Sequence, residues 1–151
     1  MVFQLADEWM TEVADTDYRL DDQVGYLLRL ASQRHATIFQ SKTINSLTPT
    51  QFSALIRISE QGTCSQNHLG RLAAMDVATI KGVVDRLRQK GLTVTAPDPN
   101  DKRRTMISLS SEGEEVVTRM KEVGREITAE SLKPLTAAEQ RNLVKILRKL
   151  S

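Results

Sequence analysis

The stretch MDVATIKGVVDRLRQKGLTVTAPDPNDKRR, residues 75–104, decides the fold. Its apolar residues recur at spacings of three and four, which predicts an amphipathic helix that begins after Asp76 and ends at Gly91. The apolar positions of this helix are Ile80, Val83, Val84 and Leu87. Alternating residues then predict strands over 92–96 and 105–109, on either side of a turn-rich segment. The stretch therefore reads as a helix followed by a β-hairpin with a positively charged tip.

Further helices are predicted on both sides of this stretch. They cover residues 21–42, 65–74, 111–132 and 136–150, and one more begins at Pro49. Thr48 and Gln51 have the spacing of a capping box, and so have Thr136 and Glu139. Ser111 and Glu114 form a third candidate box, for which Ser110 is the alternative cap. The predicted fold class is mainly α with a small β-hairpin, in which a short helix, a tight step and a longer helix form a helix-turn-helix.

Length and composition favour one compact domain. The chain has 151 residues, of which 40% are hydrophobic, and this is enough for one core but not comfortably for two. It contains no apolar run of about 18 residues and begins with the acidic MVFQLADEWM, so we expect neither a membrane span nor a signal peptide. We therefore expect a cytoplasmic protein.

The chemistry of catalysis and metal binding is poorly represented. Cys64 is the single cysteine, which excludes an internal disulfide and a multi-cysteine metal site. The two histidines, His35 and His68, have no ligand spacing around them. No pairing of a nucleophile with a base is recognisable. We expect no metal, no cofactor and no enzymatic activity.

Charge is distributed unevenly behind a net value of +2. Residues 1–22 are rich in Asp and Glu, whereas basic residues outnumber acidic ones over 71–104. A basic stripe suits a polyanion, because neutralised phosphates release condensed counterions. Charge alone is equally typical of an ordinary solvated helix face.

The helix and the hairpin together favour a winged helix-turn-helix that binds double-stranded DNA. Small exposed residues at the start of the helix allow a deep approach to the major groove, where Val77 or Ala78 can meet a thymine methyl and Lys81 a guanine edge or phosphate. The basic hairpin tip suits an adjacent minor groove. The candidate DNA-binding residues are Ser65, Gln66, Val77, Ala78, Thr79, Lys81, Gly82, Arg86, Asp101, Lys102, Arg103 and Arg104.

The segments LTPTQFSALIRI, SQNHLGRLAAMDVATIKGVVDRLRQKGL and DPNDKRRTMISLS occur in an order that resembles the MarR family of bacterial transcription regulators. In that family an Asp, any residue and Arg stand in the wing before a strand that ends in Leu and Thr. Here Asp101, Lys102 and Arg103 match this pattern, while Ser110 replaces the Thr after Leu109.

The resemblance covers roughly residues 20–150. It implies a single domain over 20–151 after an acidic arm over 1–19. Within that domain it implies a winged helix-turn-helix lobe over 48–110 and a helical dimerisation lobe made of 20–43 and 111–150. It also implies a homodimer that represses genes at a pseudo-palindromic operator and is released by a small aromatic acid.

A candidate effector site follows from the first long helix. His35 shares a stripe with Leu28, which predicts that its ring points inward, and Arg34 flanks it. Arg34 would hold the carboxylate of an aromatic acid and His35 a ring hydroxyl or nitrogen, with Phe39 and Phe52 as apolar neighbours. A core histidine bonded to a backbone carbonyl, beside an arginine that reaches an acid across the dimer, fits the same residues.

Two other DNA-binding classes stay open at this point. An architectural protein would use the same basic surface without a ligand or sequence preference. A thiol redox-sensing regulator would depend on Cys64, for which a buried apolar role is the simpler interpretation.

Overall fold

The computed structural model describes residues 17–151. The predicted acidic arm, residues 1–19, lies outside the described residues except for its last three, so its role and boundary stay predictions. The chain divides into two compact units, one ending at Ala36 and the other comprising Thr37–Ser151. In the first unit a 3-10 turn, Leu20–Asp22, precedes helix α1, Val24–Lys42, which continues into the second unit.

The second unit contains the helix-turn-helix and the hairpin that the sequence predicts. After α1 its elements are α2 Pro49–Gln61, β1 Thr63–Ser65, α3 Gln66–Leu72, α4 Val77–Gln89, β2 Thr93–Pro97, β3 Thr105–Leu109, α5 Ser111–Leu132 and α6 Ala137–Leu150. The fold class is confirmed as mainly helical with a small antiparallel sheet. Across residues 17–151, no helix is both long and apolar enough to cross a membrane.

The sheet has three strands rather than the two of the predicted hairpin. Its order is β1-β3-β2, and both pairings are antiparallel. The register of β2 sets Thr93 opposite Leu109, and that of β1 sets Cys64 opposite Ile107. Strand β1 is not predicted from the sequence, because three residues are too few to show a strand alternation and their pairing partner lies more than forty positions away.

Two of the three predicted capping boxes are confirmed. The Thr48 hydroxyl accepts the Gln51 amide N–H at 3.3 Å and the Gln51 side chain accepts the Thr48 N–H at 3.2 Å, while Thr136 and Glu139 pair in the same way. At the start of α5 the alternative cap is the one observed: Ser110 rather than Ser111 caps the helix, because its hydroxyl accepts the Gly113 N–H at 3.0 Å.

The start of α5 is fastened to the end of α4. Gly91 ends α4 with a φ of +75°, a conformation that side chains disfavour. The Ser110 hydroxyl donates to the Gly91 carbonyl at 2.6 Å, and the Ser110 N–H donates to the Leu92 carbonyl at 3.0 Å. Gly113 is buried directly against this Leu92 carbonyl, so closely that a Cβ at Gly113 would overlap it. The backbones of Leu92 and Gly113 therefore form one junction between the end of α4 and the start of α5.

The hydrophobic core of the second unit includes Leu92 of this junction. Its buried members come from α2, α3, α4, α5, the sheet and the adjoining turns: Leu47, Ala54, Leu55, Ile58, Cys64, Leu69, Ile80, Val83, Val84, Leu87, Leu92, Ile107, Val116, Val117 and Met120. The four apolar positions predicted to be the inward stripe of α4 are all among them. The opposite face of α4 is thereby left to solvent.

Two apolar stripes are exposed in the single chain. On α6, Ile146, Leu147 and Leu150 are exposed, and on α1 Leu28 is exposed. The expectation that His35 points into an interior is wrong for the single chain: its side chain is exposed, because the stripe that carries it is itself exposed.

We expect Gly113→Ala to lower the free energy of unfolding by at least about 1 to 3 kcal/mol, because a methyl group at this position must displace the Leu92 backbone. Gly82→Ala is the matched control, since a Cβ at Gly82 meets nothing within 4 Å, and we expect it to stabilise α4 by about 0.5 to 1 kcal/mol. Urea denaturation of both variants measures the difference. Equal stability of the two variants would contradict this account of the junction.

Candidate nucleic-acid interface

The exposed face of α4 begins with small side chains. Val77 is 71% exposed although it is apolar, and Ala78, Thr79 and Gly82 are exposed beside it. Asp76 caps the helix, because its carboxylate accepts the Thr79 N–H at 2.7 Å. This hydrogen bond lowers the pKa of Asp76 below its usual value, so it favours the charged form that caps the helix. The candidate residues at the start of α4 thus share one accessible and ordered surface.

Charged residues follow along the same helix. Lys81 Nζ lies 3.1 Å from Asp85 Oδ2, and Arg88 lies 3.7 Å from Asp85 Oδ1, so one carboxylate bridges two cations. Arg86 is exposed. The candidate residues predicted from the sequence include Lys81 and Arg86 but not Asp85, which shares the exposed face and is spaced four from Lys81 and three from Arg88.

The wing is the loop between β2 and β3, residues 98–104, and its acids hold its arginines. Asp101 Oδ1 accepts the Arg103 amide at 3.1 Å and the Arg103 Nε–H at 3.2 Å. The hydrogen bond from the Arg103 side chain lowers the pKa of Asp101 most, and the hydrogen bond from the Arg103 backbone amide lowers it further. Asp98, which is buried, accepts the Asn100 amide at 2.9 Å and lies 3.9 Å from Arg104. Both acids thus bond backbone amides and lie against guanidinium groups of the wing, whereas the part of Asp101 in DNA binding stays a prediction.

A cleft of about 610 Å³ joins the wing to α3. Arg71, Arg103 and Arg104 line it, so a polyanion that enters it meets three guanidinium groups. Its other lining residues are Thr63, Cys64, Ser65, Gln66, Asn67, His68, Thr105 and Met106. The structure therefore brings the predicted Ser65 and Gln66 together with the wing arginines, and it adds Arg71, which the sequence analysis did not single out.

Ser65, which lines this cleft, also caps α3, because its hydroxyl accepts the His68 N–H at 3.2 Å. Lys102 lies at the tip of the wing, where it is exposed, and Arg103 is 92% exposed at its side chain. The wing arginines are thus presented to solvent from a loop whose shape is set by its own carboxylates.

The far end of α4 is tied to the turn between α1 and α2. Lys90 Nζ donates to the carbonyl oxygens of Asn45 and Ser46, each at 2.9 Å. Both residues have a φ of +52°, an uncommon conformation for residues with a side chain. The single ammonium group therefore holds a strained turn against the helix that carries the exposed face.

Cys64 lies on β1 with only 3% of its surface exposed. Burial raises the pKa of its thiol, which lowers the fraction of reactive thiolate. Within residues 17–151 no group of three or more His, Cys, Asp or Glu side chains is placed to hold a metal ion.

Comparison with known proteins identifies the family. The model of the MarR family matches residues 47–105, which span α2 to the beginning of β3. Over 137 residues the chain is 37% identical to the HTH-type transcriptional repressor NicR of Pseudomonas putida, and the match covers 90% of this chain and 87% of NicR. The chain belongs to the MarR family. The resemblance described from the sequence is thereby confirmed.

Solved structures agree with this assignment. A probable transcriptional regulator from Pseudomonas aeruginosa superposes on this MarR-family chain with a TM-score of 0.86 and 49% identity, covering 88% of this chain and 100% of the other. BpsR of Bordetella bronchiseptica, whose DNA binding is regulated by 6-hydroxynicotinic acid, gives a TM-score of 0.84 and 36% identity, covering 89% and 97% of the two chains. The fold is that of winged-helix MarR regulators.

We expect the Cys64 thiol to react with Ellman's reagent at pH 8 more than about tenfold slower in the native chain than in the chain unfolded by urea, because burial shields it and disfavours its thiolate. Peroxide at micromolar concentration should leave the thiol titre of the native protein unchanged. Equal labelling rates in the native and unfolded states would revive the thiol-sensing alternative.

Proposed function

We propose that this MarR-family chain is a sequence-specific, double-stranded DNA-binding transcription repressor that a small aromatic acid releases from its operator. The observation that supports DNA binding is the exposed face of α4, which the small residues Val77, Ala78 and Gly82 share with Lys81. NicR is a transcriptional repressor, and the regulated DNA binding of BpsR supports the same activity here.

The two parts of the surface would read DNA in different ways. The slim start of α4 enters the major groove, where Val77 or Ala78 contacts a thymine methyl and Lys81 reaches a guanine edge or phosphate. The wing meets the neighbouring minor groove, with Arg103 directed at the base edges by Asp101. Ser65, Gln66, Thr79, Arg86, Lys102 and Arg104 contact the sugar-phosphate backbone and fix the register.

A homodimer completes this reading of DNA. One α4 covers only a few base pairs, and a two-fold axis would set two such helices about 34 Å apart, one helical turn, on a pseudo-palindrome. Ile146, Leu147 and Leu150 of α6 are exposed in the single chain, and burying them against a second copy removes apolar surface from water. We place the dimerisation helices in residues 20–43 and 111–150, as the sequence predicts.

The effector part rests on the relatives and on two pairs of residues, which we consider separately. Phe39 and Phe52 pack edge to face, with ring centroids 5.6 Å apart, and Phe52 borders an apolar cleft of about 570 Å³ that is also lined by Met120 and Arg125. In the first unit Arg34 and His35 are consecutive on α1. We propose that Phe39 and Phe52 contact the ring of an aromatic acid. For the first unit, we propose that Arg34 and His35 bind polar groups of such an acid.

Ligand-regulated DNA binding explains the described surface better than the alternatives. A repressor acts on chromosomal DNA, so we place it in the cytoplasm, and we assign it no enzymatic activity. A ligand-independent architectural protein needs no apolar exposed residue such as Val77 at the start of a groove-facing helix, since non-specific binding depends on phosphate contacts. A redox regulator is disfavoured by the burial of Cys64.

We expect Ala78→Glu to abolish operator binding, because its carboxylate would lie against DNA phosphates. Folding should survive, since an acid in the first turn suits the helix dipole. Ala138→Glu is the matched control: Ala138 is also the second residue of a capped helix, α6, and is also exposed.

The measurement is a fluorescence-anisotropy titration of the strongest duplex selected from a randomised library, with circular dichroism as the check on folding. The control should bind that duplex like the wild type. A folded Ala78→Glu protein that keeps its operator affinity would remove α4 from the interface. A wild type that selects no sequence would contradict the proposed function.

We expect 6-hydroxynicotinate or a hydroxybenzoate to release the protein from its operator. Arg34→Ala should raise the concentration needed on the order of tenfold, since a charged hydrogen bond to the carboxylate is lost. His35→Ala should raise it less. Arg29→Ala is the control on the same helix, because Arg29 stacks 5.4 Å from the Tyr26 ring centroid and is not assigned to the ligand.

Each variant is titrated with the acid in the same anisotropy assay. If an acid that releases the wild type releases Arg34→Ala and His35→Ala equally well, the assignment of these two residues is wrong, although the regulator could still respond to the acid through another site.

A further inference from the structure

We infer that Asp85 sets the selectivity of the DNA-binding surface by holding Lys81 and Arg88 in internal ion pairs that only a matching DNA site replaces. The inference rests on the proposed function and deepens it. Asp85 would not touch a base; it is a positioning residue that acts through the two cations. Its effect would be to weaken binding to random DNA more than binding to the operator.

The geometry of the carboxylate supports this role. Each of its oxygens faces a different cation, Lys81 at 3.1 Å and Arg88 at 3.7 Å. The two cationic side chains are 67% and 57% exposed, whereas that of Asp85 is 38% exposed. The Asp85 carboxylate therefore lies between two more exposed cationic groups. Its negative charge partly neutralises the part of α4 that follows Val77 and Ala78.

Helix stability does not account for an acid at this position. Asp85 lies in the second half of α4, where a negative charge opposes the helix dipole, and Asp has a lower helix propensity than Ala. A Lys that precedes its acid by four residues is also the weaker orientation of such a pair. The Asp85–Arg88 pair, in which the acid precedes the base by three residues, offsets part of this cost, so Asp85 contributes little net stability to α4.

The wing acids provide an instructive contrast. Asp98 and Asp101 also pair with arginines, but each accepts a backbone N–H as well and so holds the shape of the loop. Within residues 17–151, the Asp85 carboxylate is engaged by the side chains of Lys81 and Arg88. Replacing Asp85 therefore changes the charge of the surface without removing a backbone support, which makes it a cleaner probe than either wing acid.

Selectivity follows from the contacts that each DNA complex makes. On the operator, base-edge and phosphate contacts made together compensate Lys81 and Arg88 for leaving Asp85. On random DNA the base contacts are missing, and the cations keep their internal partner. Removing the carboxylate makes two cations available to any phosphate, so random DNA can then bind the two cations that the operator complex already binds.

The test compares Asp85→Asn with Glu60→Gln. Glu60 forms an ion pair with Arg57 at 2.9 Å on α2, so both substitutions remove one negative charge from a helical ion pair. Affinities for the selected duplex and for a scrambled duplex of the same composition are measured over a series of salt concentrations. The same substitutions are then made in a Lys81→Ala, Arg88→Ala background.

For Asp85→Asn we expect random-duplex affinity to rise on the order of threefold or more, and operator affinity to rise less. The dependence of log K on log salt for random DNA should steepen by about 0.9 for each additional phosphate that the protein neutralises. Glu60→Gln should change neither the affinity ratio nor the slope. In the background without Lys81 and Arg88, the effect of Asp85→Asn on the ratio should vanish.

The inference is overturned if Asp85→Asn behaves like Glu60→Gln, if it weakens both complexes equally, or if its effect persists without the two cations. If Asp85→Asn does not fold, Asp85→Ala, with its higher helix propensity, is measured against the same outcomes. If the wild type binds its selected duplex but Asp85→Asn has the same selectivity over random DNA, this inference is contradicted and the proposed function is not. A wild type that binds no duplex overturns the proposed function and this inference with it.

Discussion

The backbones of Leu92 and Gly113 approach each other so closely that no side chain fits between them. Around this contact, Ser110 donates to the carbonyls of both Gly91 and Leu92 and accepts the N–H of Gly113. The end of α4, the start of β2 and the first turn of α5 are thereby fixed to one another by backbone geometry. The direction in which α4 presents its exposed face depends on this junction, because α4 itself ends there.

The surface that this junction orients combines small apolar residues with cations that are already partnered. Lys81 and Arg88 share Asp85, Arg103 bonds to Asp101, and Arg104 lies near Asp98. Preformed pairs reduce the side-chain entropy that DNA binding must remove, since the arginines of the wing are held before contact. They also lower the unspecific attraction of a basic surface, because a paired cation releases fewer counterions when it meets a phosphate.

How much the sequence could predict depended on the range of the interactions involved. The helices, the Thr48 cap and the inward stripe of α4 are specified by residues within one or two turns, and they were predicted. Strand β1 was missed because its pairing with β3 is non-local. Both Ser110 and Ser111 have cap spacing, and only the contact with Gly91 and Leu92, distant in sequence, decides between them. The exposure of His35 in the single chain was not predicted for a related reason, since a stripe of apolar residues does not tell what covers it. Among the site residues, the exposed face of α4 and the basic wing followed from local spacing, whereas the cleft that adds Arg71 depends on tertiary packing.

The hold of Lys90 on the carbonyls of Asn45 and Ser46 bears on how operator specificity can be transferred between members of this family. Transplanting the exposed residues of α4 into a relative moves the side chains that we propose read the bases, but not the turn that the end of the helix supports. A graft that omits Lys90 leaves the carbonyl oxygens of the turn without their donor. A graft that includes Lys90, in a host with a different turn, leaves the ammonium group without these acceptors. The transferable unit is therefore α4 together with the turn at residues 45 and 46, two segments that are far apart in sequence and act as one module.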